Sequence, residues 1–419
     1  MTTREMLLEA KKAASGAMEL DTETKNRAIE AMACAIERNM ENILKANAVD
    51  MENAKNKLSA SMLDRLKLDE KRIYSVTAGM RKVMELADPV GRILSSETMP
   101  NGLLIEKITV PMGVVAIIYE SRPNVTADAA VLCFKSSNVC VLRCGRDSFL
   151  SAKAIVDAMR EGLEAVGLKK EFVNLVPDPS RESATELMKA EGLVDLLIPR
   201  GGAGLIKSCV ENATVPCIRT GTGICHIFVD KSADFDMALN IIENAKCQRP
   251  SVCNAAEVLL VHKDIAGEFL PLVKKRICLD REKAGLCPVK LLGDEEAVKI
   301  ISCEAAKEGD FDTEFLDYVL AVKTVDGVKE AVEHISLHST GHSEAILSFD
   351  DASVASFVNG VDSAAVYVNA STRFTDGGEF GLGCEMGIAT QKLHTRGPMG
   401  LRELVSYKYL IKGNGQIRG

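Results

Sequence analysis

Tryptophan is absent from this 419-residue chain and aromatics make up only 4% of it, so Leu, Ile, Val, Ala and Met have to fill whatever core it builds. It holds no run of about 18 apolar residues, the length a membrane-spanning helix needs. Basic charge is in deficit: 51 Lys and Arg stand against 59 Asp and Glu, a formal net charge of -8, which argues against nucleic acid or an anionic membrane as partner, since both need a basic face. The 13 cysteines are odd in number, scattered from Cys34 to Cys384, and include no Cys-x-x-Cys pair; that usage fits reduced thiols better than a disulfide framework or a zinc site. The opening Met1-Thr2-Thr3-Arg4-Glu5 is too acidic for a signal peptide, and with the thiols it predicts a cytoplasmic protein. A Gly-x-Gly-x-x-Gly loop is also missing: Gly221-x-Gly223 and Gly381-x-Gly383 both lack the third glycine, so a conventional dinucleotide turn cannot be argued.

What is present is ample core. Hydrophobic residues are 47% and charged residues 26%, and the length exceeds the roughly 250 to 300 residues at which single cores stop growing, which predicts at least two domains. Asp21 reads as the cap of a helix in which Ile29, Met32, Ala33, Ile36, Met40 and Ile43 recur at three and four, and Asp69 opens a second with Ile73, Val76, Met80, Val83 and Leu86. Asn101-Gly102, with Met99 before it and Leu103, Leu104 and Ile105 after it, predicts a hairpin. From Gly113 strands and helices alternate, with strands near Val114 to Tyr119, Val139 to Arg143, Val173 to Val176, Val194 to Ile198 and Val215 to Ile218. Beyond Gly221-Thr222-Gly223 a second block places strands near Cys225 to Val229, Glu257 to Val261, Tyr318 to Val322, Ala345 to Ser348 and Ala364 to Val368. Such alternation is the signature of an α/β fold with parallel, doubly wound sheets. His334, His338 and His342 are four apart, but Gly341 breaks the helix before the third. With no cysteine or placed carboxylate to complete a ligand set, no metal site is read there.

The stretch Lys246-Cys247-Gln248-Arg249-Pro250-Ser251-Val252-Cys253-Asn254 lifts a thiol out of a polar turn ahead of the apolar run Val258 to Val261. A cysteine taken at random is a small buried hydrophobe. Cys247, at the end of the helical pattern Met237, Ile241, Ile242, Ala245, reads that way, whereas Cys253 follows the break and reads as a nucleophile. The Gln-Arg-Pro-x-x-Cys-Asn string resembles the nucleophile segment of the gamma-glutamyl phosphate reductase family, the acyl-phosphate-reducing branch of the aldehyde dehydrogenase superfamily. Further stretches carry the resemblance in order as far as about Leu410: Tyr119-Glu120-Ser121-Arg122-Pro123-Asn124-Val125, Ile198-Pro199-Arg200-Gly201-Gly202-Ala203-Gly204, Asp312-Thr313-Glu314-Phe315-Leu316, and the run from Val368 to Gly383 continuing to Gly400.

The resemblance implies an aldehyde-dehydrogenase-like fold of two doubly wound parallel-sheet domains plus a small oligomerisation hairpin and tail. Residues 1–90 and 114–222 would bind NADP, 223–400 would be the catalytic domain with the cysteine, and 91–113 with 401–419 would join subunits, Val405 to Ile411 being the counterpart of the hairpin. It assigns Cys253 as nucleophile and Asn124, with the Cys253 backbone N–H, as holders of the oxyanion. Arg200, Gly201 and Gly202 would take the diphosphate of NADPH, Arg143 with Arg146 its 2′-phosphate, and Glu314 the nicotinamide ribose. Arg122, Arg249, Arg373 and Phe374 would meet the substrate. On the residues alone, an asparagine after proline is a turn residue, the two arginines are a solvated surface pair and Glu314 is a strand-edge carboxylate.

The implied reaction is NADPH-dependent reduction of L-glutamyl 5-phosphate to L-glutamate 5-semialdehyde and phosphate through a cysteine thioester, the second step of proline biosynthesis from glutamate, with no metal. The implied partners are further copies of the chain, as dimer or tetramer, and a functional association with glutamate 5-kinase. A general NAD(P)-dependent aldehyde dehydrogenase that hydrolyses its thioester is the alternative, and a non-catalytic binding protein is another. One departure separates the first two: oxidising members carry a glutamate base just before their Gly-rich crossing, where this chain has Ile218-Arg219-Thr220-Gly221 and no carboxylate.

Overall fold

Asp21 and Asp69 both cap helices, their side chains accepting the Thr24 and Arg72 amides respectively, a contribution of about 1 kcal/mol per cap. These are two of five helices that open the chain in the computed structural model, which describes residues 2–307 and 309–418: α1 (Thr3–Met18), α2 (Thr22–Arg38), α3 (Met40–Ala54), α4 (Ala60–Leu66) and α5 (Glu70–Glu85). The stripe Ile29, Met32, Ala33 and Ile36 is fully buried. The chain divides into two units, one made of Met1–Thr220, Gly381–Gly387 and Pro398–Gly419, the other of Gly221–Phe380 and Ile388–Gly397.

In the first unit the hairpin joins β1 (Ile93–Thr98) to β2 (Leu104–Pro111) in antiparallel register. Gly102 supplies the positive φ of 86° that such a turn needs. The strand Val405–Lys412 pairs antiparallel along the other edge of β2, with Val405 opposite Pro111. Next comes a parallel sheet of β3 (Val114–Tyr119), β4 (Val139–Cys144), β5 (Val173–Leu175) and β6 (Leu196–Arg200), in the order β5-β4-β3-β6. β3 and β4 are buried at every position, as expected of strands covered on both faces. The crossovers are α6 (Asn124–Lys135), α7 (Phe149–Ala165) and α8 (Arg181–Met188), and α9 (Ala203–Asn212) follows β6. Val215 to Ile218, expected as a strand, forms only an isolated bridge between Leu197 and Cys217; Pro216, in the middle of it, has no N–H to give to a ladder.

The second unit is a seven-stranded sheet, parallel throughout, in the order β10-β9-β11-β8-β7-β12-β13. Its strands are β7 (Cys225–Val229), β8 (Ala256–His262), β9 (Lys290–Gly293), β10 (Glu304–Ala305), β11 (Val319–Val325), β12 (Ser343–Leu347) and β13 (Ala365–Val368). The five strands expected here all form, while the short β9 and β10 escaped the sequence pattern. Helix α10 (Phe235–Cys247) links β7 to β8, and the helix Val328–His338 links β11 to β12. Alternation along β8 sends Leu259 and Val261 into one core layer and Val258 and Leu260 into the other. Among the described residues no helix is long and apolar enough to cross a membrane.

Candidate active site

The first unit gathers its candidate residues at or just beyond the carboxyl ends of its strands. Gly202 donates its amide to a Glu120 carboxylate oxygen at 3.0 Å at the start of α9, so the helix end already receives an anion, as its amides and dipole favour. A Cβ on Gly201 would come within 2.4 Å of the same oxygen, and Arg200 pairs with Glu385 at 3.5 Å. Arg143 is buried, 8% exposed. Its Nη2 donates to the carbonyls of Pro179 and Ser180 at 2.9 and 2.5 Å, and its Nε has no partner among the described residues. Burial lowers its pKa. Arg146 is exposed, so the two arginines are not the solvated pair that the residues alone suggest.

Asn124 opens α6 and donates its amide to Asp128 one turn on, at 3.2 Å. The other Asp128 oxygen takes the Cys384 thiol at 3.5 Å, and burial pushes the Asp128 carboxyl up to about 6. Asn124 also borders a small apolar cavity with Ile36, Ile43, Leu68, Ile73 and Val76. Just before it Ser121, buried, sits at a φ of 42°, a conformation that costs of order 1 kcal/mol or more in a non-glycine residue and is often kept where function needs it. Arg122 is half-buried.

In the second unit Cys253 and Glu314 precede the amino ends of β8 and β11, while Arg373 and Phe374 follow β13. Cys253 is half-buried in the turn between α10 and β8, whereas Cys247 is the last residue of α10, 8% exposed, its thiol pushed up to about 11 chiefly by burial. Gly223 lies against the Cys253 carbonyl so closely that a Cβ would come within 1.5 Å of its oxygen. The Gly223 amide donates to Glu314 at 2.8 Å. Folding therefore brings a carboxylate to the Gly-rich crossing, where the local sequence has none. The Cys225 thiol donates to the Cys253 carbonyl at 3.1 Å and lies 3.7 Å from His342 Nδ1. Behind it a buried polar chain runs from His342 to the Ser343 hydroxyl (2.8 Å), to Thr375 (2.7 Å) and to Tyr367 (2.6 Å). Complete burial pushes the His342 imidazole down to about 4.

Arg373, half-buried, donates from Nε to Gln248 at 3.2 Å and from Nη1 to the Asn254 side chain. Burial first, and the neighbouring Arg249 second, lower its pKa. Arg249 is exposed, and Phe374 is 49% exposed. Behind the turn Lys246 and Glu257 form a fully buried pair at 2.5 Å, with the Glu257 carboxyl raised to about 7 by burial; Glu257 also accepts the Leu316 amide at 3.2 Å. Cys253, Arg249, Arg373 and Glu314 thus share the second unit, while Asn124, Arg122, Arg143, Arg200, Gly201 and Gly202 belong to the first. Sequence reasoning passed over Glu120, Cys225, Asn254, Glu257 and Thr372. Glu120, Asn254 and Thr372 stood within the quoted stretches, and Glu257 follows 11 residues after its partner Lys246; Cys225 carries no local signal, because its partners Cys253 and His342 are 28 and 117 residues away.

Residues 2–279 match the model of the aldehyde dehydrogenase family. The chain is 59% identical over 397 residues to the gamma-glutamyl phosphate reductase of Streptococcus gordonii, covering 95% of this chain and 94% of that one. It is 56% identical over 416 residues to that of Neisseria meningitidis serogroup C, 99% of each being covered. The solved gamma-glutamyl phosphate reductase of Thermotoga maritima is 44% identical with a TM-score of 0.95 over the whole of both chains. An acetylating aldehyde dehydrogenase from Geobacillus thermoglucosidasius, 19% identical, shares the fold at a TM-score of 0.73, over 100% of this chain and 97% of that one. The chain belongs to the aldehyde dehydrogenase family, in its gamma-glutamyl phosphate reductase branch, and is an oxidoreductase.

Proposed function

We propose that the chain reduces L-glutamyl 5-phosphate to L-glutamate 5-semialdehyde with NADPH and releases phosphate, as the second step of proline biosynthesis in the cytoplasm, next to the glutamate 5-kinase that supplies the acyl phosphate. The observation that carries the reading is the Cys253 turn: a half-buried cysteine whose carbonyl is held by the Cys225 thiol and backed by Gly223, in a chain whose relatives bear that name. The Cys253 thiolate attacks the acyl carbon; a C–S bond forms, the carbon–oxygen bond to phosphate breaks, and a thioester results. Negative charge that builds on the acyl oxygen is met by the Asn124 amide and the Cys253 backbone N–H, each such donor being worth about 3 kcal/mol in a transition state. Arg249, Arg122 and Arg373 supply the positive charge that an acyl phosphate and an α-carboxylate require, and exposed Phe374 closes over the carbon chain.

The residues of the first unit suit the nucleotide. Backbone amides at Gly201 and Gly202 would hold its diphosphate beside Arg200, as the Glu120 carboxylate on the Gly202 amide illustrates for an anion at that helix end. Arg143, with an unpartnered Nε, and exposed Arg146 favour a 2′-phosphate, and Glu314 would accept from the nicotinamide ribose. When bound, NADPH supplies the hydride that converts the thioester to the aldehyde. On this reading residues 1–90 and 114–222 are the nucleotide domain and 223–400 the catalytic one, while 91–113 and 401–419 join subunits. Ile93, Leu94, Tyr407, Tyr409 and Ile411 are exposed on that three-stranded sheet, and removing residues after Leu404 is expected to leave a monomer in sedimentation.

The deciding experiment runs the reaction backwards. Water needs a base to cleave a thioester, whereas phosphate is already an anionic nucleophile. Glu314, the carboxylate at the crossing, has an oxygen engaged by the Gly223 amide. Oxidation of the semialdehyde should stop after at most one turnover in phosphate-free buffer and continue when phosphate is added. Sustained NADPH formation without phosphate or arsenate would move the chain to the hydrolytic class.

A further inference from the structure

We propose that Asn254 is a positioning residue: clamped by Thr372, Arg373 and Thr375, it fixes the turn around Cys253 and so aims the Cys253 backbone N–H at the oxygen on which charge develops. Asn254 is 4% exposed. Its amide nitrogen donates to two carbonyls, those of Arg373 at 3.2 Å and Thr375 at 3.0 Å. Its side-chain oxygen accepts from the Arg373 guanidinium, and its own carbonyl accepts the Thr372 hydroxyl at 2.7 Å. All four contacts go to one short segment that follows β13: three use both donors and the oxygen of the side-chain amide, and the fourth holds the backbone carbonyl. An aspartate would turn the two donors into acceptors facing carbonyl oxygens.

The consequence reaches Cys253 through three successive peptide planes. The Val252 carbonyl, in the same plane as the Cys253 N–H, accepts the Ala255 amide at 3.0 Å. The Cys253 carbonyl accepts the Cys225 thiol and is backed by Gly223. The Asn254 carbonyl is held by Thr372. With each plane tethered, the Cys253 N–H has one direction in which to point, and a donor fixed before the reaction needs no reorganisation during it. The Asn254 clamp is the tether made by the segment farthest away in sequence, 118 to 121 residues against 28 for Cys225, so it ties the turn to the loop bearing Arg373 and Phe374.

The inference rests on the proposed role of Cys253, and the test separates the two. Iodoacetamide alkylates a thiolate at a saturated carbon, where no oxyanion forms; the acyl substrate needs the aimed amide. Asn254→Ala and the isosteric Thr372→Val are each expected to lower kcat about 100-fold, the scale of a small misplacement, with KM within about threefold. The rate at which iodoacetamide labels Cys253, read by peptide mass, should stay within about threefold of the parent, and Thr372→Ser, which keeps the hydroxyl, should restore kcat. Unchanged kcat in Thr372→Val, or labelling that falls in step with kcat, would overturn the clamp, since the latter means that the thiol itself has moved. Cys253→Ser, assayed alongside, isolates the underlying reading: full turnover there would remove the nucleophile assignment, and the clamp with it.

Discussion

Glu120 follows the carboxyl end of β3, Arg143 is the next-to-last residue of β4 and the Arg200–Gly202 turn leaves the last residue of β6, whereas Gly223, Cys253, Glu314 and His342 precede the amino ends of β7, β8, β11 and β12. At a carboxyl end the chain runs on into a helix whose first amides face outward, so what the first unit offers is backbone, and its natural guest is an anion. At the amino ends what converges is side chains: a thiol, a carboxylate and an imidazole, with carbonyls tethered around them. On the proposed reading, two parallel doubly wound sheets built by the same rules divide labour by which end is used, one for holding and one for reacting.

The sharpest way to break that division is at its thiol. Cys253→Ala should lower kcat by about 10⁴-fold or more, as loss of a nucleophile does, while Cys247→Ala keeps most of the activity; a dead Cys247→Ala with a live Cys253→Ala would transfer the chemistry to the end of α10. A pair of glycines tests the two ends directly. A methyl at Gly223 meets backbone, the Cys253 carbonyl, and has nowhere to go, so Gly223→Ala should cut kcat about 100-fold or more. A methyl at Gly201 meets only the ends of side chains, the Glu120 carboxylate and a Leu205 methyl; Gly201→Ala should act mainly on KM for NADPH, by about tenfold or less. Equal effects on kcat would mean that the two ends do not divide holding from reacting.

The smallest effect is on stability in acid. All six histidines, at positions 226, 262, 334, 338, 342 and 394, lie in the second unit. Burial pushes His334 down to about 3 and His342 to about 4, so the unfolded chain takes up these protons first and stability falls as pH drops from the ordinary histidine value toward 4. Glu257, raised to about 7, opposes them, because the folded state binds its proton more readily than the unfolded chain does. Two imidazoles against one carboxyl leave a net loss of order 1 kcal/mol at pH 5. In the first unit Asp128, raised to about 6, changes with the opposite sign and gains stability over the same range. Amide exchange at pH 7 and pH 5 should therefore show β7 and β12 losing protection relative to β3 and β4, and the reverse order would contradict this account.

Local signals in the sequence were sufficient for local features. Asp21 and Asp69 capped as expected because a cap is decided within four residues, and Asn101-Gly102 turned as expected because its φ is its own. The Val215 to Ile218 run failed for an equally local reason, Pro216, that periodicity overrides when apolar residues are counted without asking where each N–H goes. The turn that carries Cys253, between a helix end and a strand, was legible through its string. The groups that hold it were not: Gly223, Cys225 and Thr372 reach it from other strands and loops, and Glu314 arrives beside Gly223 from 91 residues away. A pattern of hydrophobic spacing specifies which face of a strand is buried, but not which distant loop meets its end.

The order in which the ribosome delivers these parts has a consequence. Strand β2 pairs on one side with β1, its immediate predecessor, and on the other with Val405–Lys412 at the far end of the chain. At roughly 5 to 20 residues per second, that edge of β2 waits tens of seconds for its partner to be made, with Ile105 and Ile108 along it. An unpaired edge of that kind is a template for pairing with other chains. The nascent protein therefore passes through an interval in which its exposure to misassembly is set by the speed of translation, and chaperone shielding of residues 93–111 would matter most before the last strand emerges.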